Sequence, residues 1–379
     1  MSKRIVIIGG GFSGLHAATI LAKHSHDYRI FLIDTRKDFV FTPWLIDALA
    51  GTKQPDEYTI RFADQATRHG FTYIQGTATN IDRDINTITV AFEGEQRSIG
   101  YDCLLHCPGA KTAYYNIPGA QEHTLPLKTP DDVAKIHTQI LALIKKNIAP
   151  QIAVVGAGPS GVESLFAIQA FTARACQDAK KPELASRASY SLVQGAPQIL
   201  PGFPHRMVDG VMRELGSQGI RTYLGEPVSE VNAQHIKTSK GTIILTNIVL
   251  WCAGIEANIV SVEPMVIADR AGYATDRYLA LDSTIFVGGD AVHYSEANVI
   301  IPKNAQTAMP MGVCLAKNAI RACRGLPLVP FTYAYRGNFI SLGEIGFIDL
   351  RFFCIKTRLA IYFRDWLYHI RFKQMKGYF

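Results

Sequence analysis

Twice in this chain an apolar, β-branched run breaks into glycines spaced G-x-G-x-x-G, and any fold that holds both copies is tightly constrained. Ile5-Val6-Ile7-Ile8 leads into Gly9, Gly11 and Gly14, and Ile152-Ala153-Val154-Val155 leads into Gly156, Gly158 and Gly161, 147 positions further on. Each copy reads as strand, tight turn and helix, with glycines that let backbone N–H groups approach a pyrophosphate at the helix N-terminus. One copy is a weak signal, because glycine-rich turns are common. Two copies, each directly after a strand-like run, point to two bound dinucleotides, a resident flavin and an exchanging nicotinamide.

The 379 residues leave room for two or three domains, and 48% apolar with 19% charged residues is ordinary for a globular enzyme. Met1-Ser2-Lys3-Arg4 runs straight into the first strand, so no secretory signal is expected. Seven scattered cysteines without a CxxC argue for a reducing compartment rather than a disulfide framework, and no metal site is expected. The longest uncharged stretches, 241–255 and 147–162, fall short of the ~20 residues of a spanning helix.

The net charge of +7 is concentrated at one end. From Arg351 to Phe379, Arg351, Lys356, Arg358, Arg364, Arg371, Lys373 and Lys376 face a single acid, Asp365. No basic face with a nucleic-acid motif accompanies them, so nucleic acid is not an expected partner. Phe352, Ile355, Leu359, Phe363, Trp366 and Ile370 recur at three- and four-residue spacing, with Tyr362 and Tyr368 among the cations. That pattern predicts an amphipathic helix lying in the headgroup plane of a membrane. A helix packed on its own domain and a dimer interface are the competing readings.

The expected architecture is α/β, with two Rossmann-like dinucleotide-binding domains, the second inserted in the first, and a C-terminal amphipathic membrane-attachment segment. The first domain takes residues 1–118 and 259–330, the second 119–258, and the tail 331–379. A strand at Arg29–Ile33 ends at Asp34, and one at Tyr190–Val193 ends at Gln194. The apolar run Ser283–Val287, ending in Gly288-Gly289-Asp290-Ala291, reads as the return to the first domain.

On these residues the chain resembles the type II NADH dehydrogenases, single-subunit NADH:quinone oxidoreductases with two dinucleotide-binding domains. The motifs that carry the likeness are VIIGGGFSG from Val6, FTPWLIDALAG from Phe41, VVGAGPSGVE from Val154, ILPGF from Ile199, LWCAGI from Leu250, IFVGGDA from Ile285, NAQTAMPMG from Asn304, and the aromatic basic tail. The fingerprints alone reach only the superfamily, whereas AQTA with the tail points to the quinone-reducing branch.

The resemblance implies non-covalent FAD held by Gly9, Gly11, Phe12, Ser13, Gly14, Asp34, Gly109, Asp290, Ala291 and Gln306. Asp34 would take the adenosine ribose, or be a plain strand-end polar residue, and Asp290 would take the ribityl chain or cap a helix. NADH or NADPH would lie on Gly156, Gly158, Pro159, Ser160, Gly161, Gln194, Ala253 and Gly254. The expected catalytic residues are Glu163, Gln306 and Lys303. Glu163 would face the junction of the two rings, or merely favour its helix dipole. Lys303 would add positive charge near the flavin, or be a solvated lysine.

Two departures stand out. Gln194 replaces the acid that selects NADH, so NADPH stays open while NADH ranks first; Arg206 is the nearest basic candidate for a 2′-phosphate. In the acceptor motif the second glutamine is Pro310, so the quinone site is expected at Gln306, Met309 and Pro310. If the helix has begun by Gln306, the proline strips that residue's carbonyl of its partner; if it begins near Met309, Pro310 is a favourable first-turn residue.

The expected activity is transfer of a hydride from NADH to flavin and of two electrons to a membrane quinone, without proton pumping. The expected location is peripheral, on the cytoplasmic side of the inner membrane; a homodimer is left open. The alternatives are a sulfide:quinone oxidoreductase using Cys107, Cys252, Cys314 or Cys354, a soluble NADH:ferredoxin or rubredoxin reductase, and a signalling flavoprotein of the apoptosis-inducing-factor type. A disulfide reductase needs a redox cysteine pair that Phe41–Gly51 lacks.

Overall fold

The computed structural model describes residues 2–266, 268–296, 299–334, 337–350 and 353–378. Arg351, Phe352 and Phe379 of the predicted basic tail lie outside the described residues.

The β-branched run before the first fingerprint forms the strand Lys3–Ile8, with Ile5 to Ile8 all buried. It stands at the centre of a five-stranded sheet in the order Ile285–Val287, Cys103–His106, Lys3–Ile8, Tyr28–Asp34, Thr72–Gln75. All pairings in it are parallel. Strands buried on both faces in this way read as continuous apolar runs, as the sequence does. The edge strand Ile285–Val287 arrives after the whole second unit has been traversed, so the expected return holds and the second unit is an insertion.

The inserted unit repeats the plan in the order Arg221–Leu224, Ser189–Gln194, Gln151–Val155, Ile248–Trp251, again parallel throughout. A small antiparallel ribbon, Ala110–Thr112 against Ile255–Ala257, joins the units where the chain leaves and returns. Asn258 reinforces this crossing by donating from its side chain to the Pro108 carbonyl at 2.9 Å and from its backbone to that of Gly109.

The tail departs from its expected form. The segment after Pro330 builds an antiparallel sheet of Asn338–Leu342, Ile345–Asp349 and Cys354–Thr357, and helix begins only at Leu359, running to Met375. Ile355 is therefore on a strand and not part of the helical stripe. The sheet packs Ile340, Leu342 and Phe347 into the core of the second unit, while Phe372 and Met375 join the core of the first. The side of the helix turned outward carries Leu359, Tyr362, Phe363 and Trp366, all exposed at helical spacing. Among the described residues, no helix is long and apolar enough to cross a membrane.

Candidate functional site

The two fingerprints share one geometry. Gly9 and Gly156 sit at φ +90° and +101°, conformations that L side chains rarely adopt, and a Cβ would fall 2.0 Å from the Cys107 carbonyl oxygen or 2.4 Å from that of Cys252. The third glycines close each turn: a Cβ on Gly14 or Gly161 would meet the carbonyl oxygen of Gly9 or Gly156 at 1.9 or 1.8 Å. The middle glycines differ, because a Cβ on Gly11 or Gly158 meets nothing within 4 Å. Each is the N-cap of its helix, Phe12–Leu21 or Pro159–Asp178, and neither helix N-terminus carries a side-chain cap. Open space over uncapped N–H groups at a helix N-terminus fits a pyrophosphate, so both cradles fit the dinucleotides that the sequence implies.

The neighbouring predicted residues divide between backbone and packing roles. Ser13 is buried, its hydroxyl beside Gly288 and Cys107. The Phe12 ring packs edge-on against Phe39 and Phe41 at 5.0 and 5.5 Å. Pro159 and Ser160 open the second helix, exposed at the mouth of the cradle. Gly109 holds φ +71° with open space around it, whereas a Cβ on Gly254 would strike the Tyr115 hydroxyl at 2.1 Å. That hydroxyl donates to the Ala253 carbonyl at 3.2 Å, so Tyr115 belongs to this site, although the sequence marks it only as loop.

The second strand of each unit ends in a polar side chain that braces its own cradle. Asp34 accepts from the Gly10 amide at 2.7 Å, and Gln194 accepts through Oε1 from the Ala157 amide at 3.0 Å. Asp34 is further engaged by Arg36, whose Nε and Nη2 donate to its two oxygens at 3.0 and 2.8 Å. Arg36, two residues past the strand end, thus adjoins the first candidate cradle, a placement that motif spacing does not reveal.

Gly288, Asp290 and Ala291 lie between the Ile285–Val287 strand and the helix Ala305–Cys323. Burial pushes the Asp290 carboxyl up, while Lys128 and Lys303 oppose the rise. Lys303 donates to the carbonyls of Asp290, at 2.7 Å, and Ala271, so it is a tethered, half-buried cation rather than a free one. Lys128, in the crossing segment, is the second cation facing Asp290 and escaped the sequence reading.

The acceptor helix begins at Ala305, capped by the Asn304 side chain accepting from the Thr307 amide at 3.0 Å. Of the two readings of Pro310, the structure therefore has the one in which the proline sits inside the helix, and the Gln306 carbonyl loses its helical donor. Gln306 is exposed, Met309 is buried, and the Met309 carbonyl meets His16 Nδ1 at 3.1 Å. Gly312 allows the closest approach to the first fingerprint helix, since a Cβ there would lie 2.4 Å from the Ser13 carbonyl oxygen.

Glu163 turns toward the tail. Its Oε1 accepts from the Ser341 amide at 2.7 Å. Burial pushes its carboxyl up to about 7, against the Ser341 amide and Arg364, with Asp47 adding to the rise. Arg364, one of the predicted membrane-facing cations, is buried instead, with Nη2 2.6 Å from Asp47 and 2.7 Å from Asp365. Tyr368 closes the cluster, its ring edge-on to Phe41 at 5.8 Å. Asp47 and Phe41 belong to the FTPWLIDALAG segment, so that motif is the floor on which the tail docks. A buried arginine cannot be told from a solvated one in a basic helix by sequence alone.

Among the described residues, no group of three or more His, Cys, Asp or Glu side chains could hold a metal ion. The family model described as pyridine nucleotide-disulphide oxidoreductase matches residues 3–312. A type II NADH:quinone oxidoreductase of Haemophilus influenzae is 24% identical, covering 90% of this chain and 85% of that protein. An alternative NAD(P)H-ubiquinone oxidoreductase of Arabidopsis thaliana is 26% identical, covering 90% and 71%. In fold, the chain is similar to NDH2 from Plasmodium falciparum in complex with NADH, with a TM-score of 0.84 at 18% identity and coverage of 99% and 98%. It is also similar to the sulfide:quinone oxidoreductase of Aquifex aeolicus, at 0.80 and 18%, over 99% and 92%. With a family model spanning both cradles and the acceptor helix as far as Gly312, the chain belongs to the pyridine nucleotide-disulphide oxidoreductase family.

Proposed function

We propose that this protein is a flavin-dependent NADH:quinone oxidoreductase of the type II NADH dehydrogenase kind. The observation that carries the reading is the pair of matched, uncapped glycine cradles on adjoining units, backed by relatives of that name over 90% of the chain. FAD, when bound, supplies the two-electron relay between a nicotinamide and a quinone. Gly9, Gly11, Gly14 and Asp34 would hold its adenosine half, with Gly109, Asp290 and Ala291 along the rest. Gly156, Gly158, Gly161, Gln194, Ala253 and Gly254 would hold the nicotinamide dinucleotide.

The chain's own task is then orientation and proton handling. Glu163 keeps a carboxyl that is part-protonated near neutral pH, close to where the two units and the tail meet. Gln306, Met309 and Pro310 would line the quinone site, with Lys303 held behind Asp290. The exposed stripe Leu359, Tyr362, Phe363 and Trp366 would rest the enzyme on a membrane surface from which a lipid-soluble quinone enters.

Sulfide chemistry is a rival with a similar fold, and the thiols argue against it. Burial pushes Cys107 up to about 12 and Cys252 and Cys314 up to about 11, and raises Cys354 as well, which disfavours a thiolate at each of the four. Anaerobic addition of NADH to the purified yellow protein should bleach the flavin, and a short-chain quinone should restore its colour. Flavin that stays oxidised with NADH but bleaches with sulfide would overturn the assignment.

A further inference from the structure

Sheet order fixes which way a dinucleotide lies across the second cradle. The strand Ser189–Gln194 stands on one side of Gln151–Val155, and Ile248–Trp251 stands on the other. With the pyrophosphate on the turn at Gly156 and the adenosine ribose toward Gln194, the other half of the molecule runs over the residues that follow Trp251. Those residues, Cys252, Ala253 and Gly254, close on the turn. The Cys252 amide donates to the Val155 carbonyl at 2.7 Å, and a Cβ on Gly156 would lie 2.4 Å from the Cys252 carbonyl oxygen. In the first unit Gly109 holds the matching place after Cys103–His106, and the ribbon of Ala110–Thr112 with Ile255–Ala257 joins the two. The backbone at Ala253 and Gly254 thus borders the nicotinamide half, beside the crossing between the units.

Over that backbone lies Tyr115. Its hydroxyl donates to the Ala253 carbonyl at 3.2 Å and fills the space above Gly254, where a Cβ would meet it at 2.1 Å. The loop before it is pinned. The Ala113 amide donates to the Gly254 carbonyl at 3.1 Å, the Trp251 indole N–H donates to the Ala113 carbonyl at 2.8 Å, and the Tyr114 and Trp251 rings lie 5.8 Å apart. Tyr115 and Asn116 then follow at φ +54° and +56°, a left-handed region that Asn tolerates and a bulky aromatic residue rarely enters. Backbone held in such a region tends to mark a place where the chain's function uses the conformation. Tyr114 packs on a buried cluster, whereas Tyr115 is 48% exposed and belongs to none, so its side chain is the part of the loop that can move.

We infer that Tyr115 is a displaceable cover of the nicotinamide subsite: its hydroxyl holds the Ala253 carbonyl until the carboxamide of an incoming dinucleotide takes that acceptor and the space over Gly254. The inference rests on the reading of the second cradle as a nicotinamide dinucleotide site. A primary carboxamide brings two N–H donors, so the carbonyl exchanges an O–H donor for an N–H donor and the freed hydroxyl passes to water. The nucleotide therefore binds against the cost of displacing Tyr115, and that cost falls on its nicotinamide end alone.

The test is equilibrium binding to the oxidised, flavin-loaded full-length protein, measured by calorimetry. NAD+ carries the nicotinamide and cannot reduce the flavin, while ADP-ribose keeps the remainder of the molecule and lacks the ring. Tyr115→Phe, which retains the aromatic ring and loses the hydroxyl, should tighten NAD+ about fivefold, the size of one neutral hydrogen bond, and leave ADP-ribose within about twofold. Retained ADP-ribose binding also reports that the variant is folded. NAD+ affinity that is unchanged or weaker in Tyr115→Phe overturns the inference, and so does a gain shared equally by ADP-ribose. A wild type that binds neither compound overturns the reading of the second cradle, and the inference with it.

Discussion

A half-buried carboxyl and a buried imidazole titrate in opposite senses. Glu163 binds a proton more tightly in the fold than its ordinary 4.5 allows, so between about 4.5 and 7 the folded state holds more protons and stability falls as pH rises. His106 is the reverse: burial alone pushes it down from 6.5 to about 3, so within that window the unfolded state holds more protons and stability falls as pH falls. The contributions of these two groups offset one another between about 4.5 and 6.5. Neither ring nitrogen of His106 has a hydrogen-bond partner, and the ring meets Tyr273 edge-on at 5.0 Å. His106→Leu removes an unsatisfied buried polar group worth ~1–3 kcal/mol, so at pH 7 the melting temperature should rise by a few degrees. The acid slope of the melting temperature between pH 3 and 4.5 should also become shallower; a lower midpoint at pH 7 would mean that an unseen partner satisfies the imidazole. For Glu163 the readout is turnover with quinone, which should decline as pH rises through about 7 in the wild type. Glu163→Gln should give a lower, flat profile, and an unaltered profile would remove the carboxyl from the proton path.

At the scale of elements, the acceptor helix concentrates the conflict between local preference and use. Its nineteen residues contain a proline at the sixth position, and the helix nevertheless runs from Ala305 to Cys323 against the first fingerprint helix. Pro310→Ala restores an N–H to the Gln306 carbonyl and should stabilise the protein by up to about 3 kcal/mol, read as a higher melting temperature. Because Pro310 adjoins Met309 in the proposed acceptor site, the quinone KM should move while the NADH KM holds. An unchanged midpoint would show that the Gln306 carbonyl already has another donor. The glycine cradles and their strands were legible in the sequence because each requirement there is local: a β-branched run, a turn that excludes Cβ, a helix start. The start of the acceptor helix was not, since Asn304 as a cap and Pro310 as a first-turn residue are each favourable locally and only packing on Ser13 through Gly312 decides between them. Arg36, Lys128 and Tyr115 were invisible for the same reason, as their partners Asp34, Asp290 and Ala253 are reached through space or across a turn.

For the whole molecule, the tail is the part whose meaning changes most between sequence and structure. A basic amphipathic segment suggests an appendage that could be cut away, yet its inner face is core to both units. Phe372 and Tyr368 pack on Phe41, with Phe372 also 5.0 Å from Trp44, and Arg364 is buried against Asp47. Truncation at residue 351 would remove Phe372 and Met375 from the core of the first unit, strip the strand Cys354–Thr357 from the tail sheet and leave Asp47 and Glu163 without Arg364, so lost quinone reduction in such a protein would report unfolding as readily as detachment. Substitutions confined to the outer stripe separate the two. Leu359 is 71% exposed and Trp366 58%, and neither belongs to a buried core cluster. If they enter the headgroup region, each stands for an apolar side chain worth ~1.5–3 kcal/mol on burial, or at least tenfold in affinity. Leu359→Ser with Trp366→Ser should therefore weaken vesicle cosedimentation a hundredfold or more, with flavin content, melting temperature and turnover on a water-soluble quinone retained. Full vesicle binding by that double variant would assign the stripe to another partner, and loss of turnover on the water-soluble quinone would place these side chains in the folding of the site rather than at the membrane.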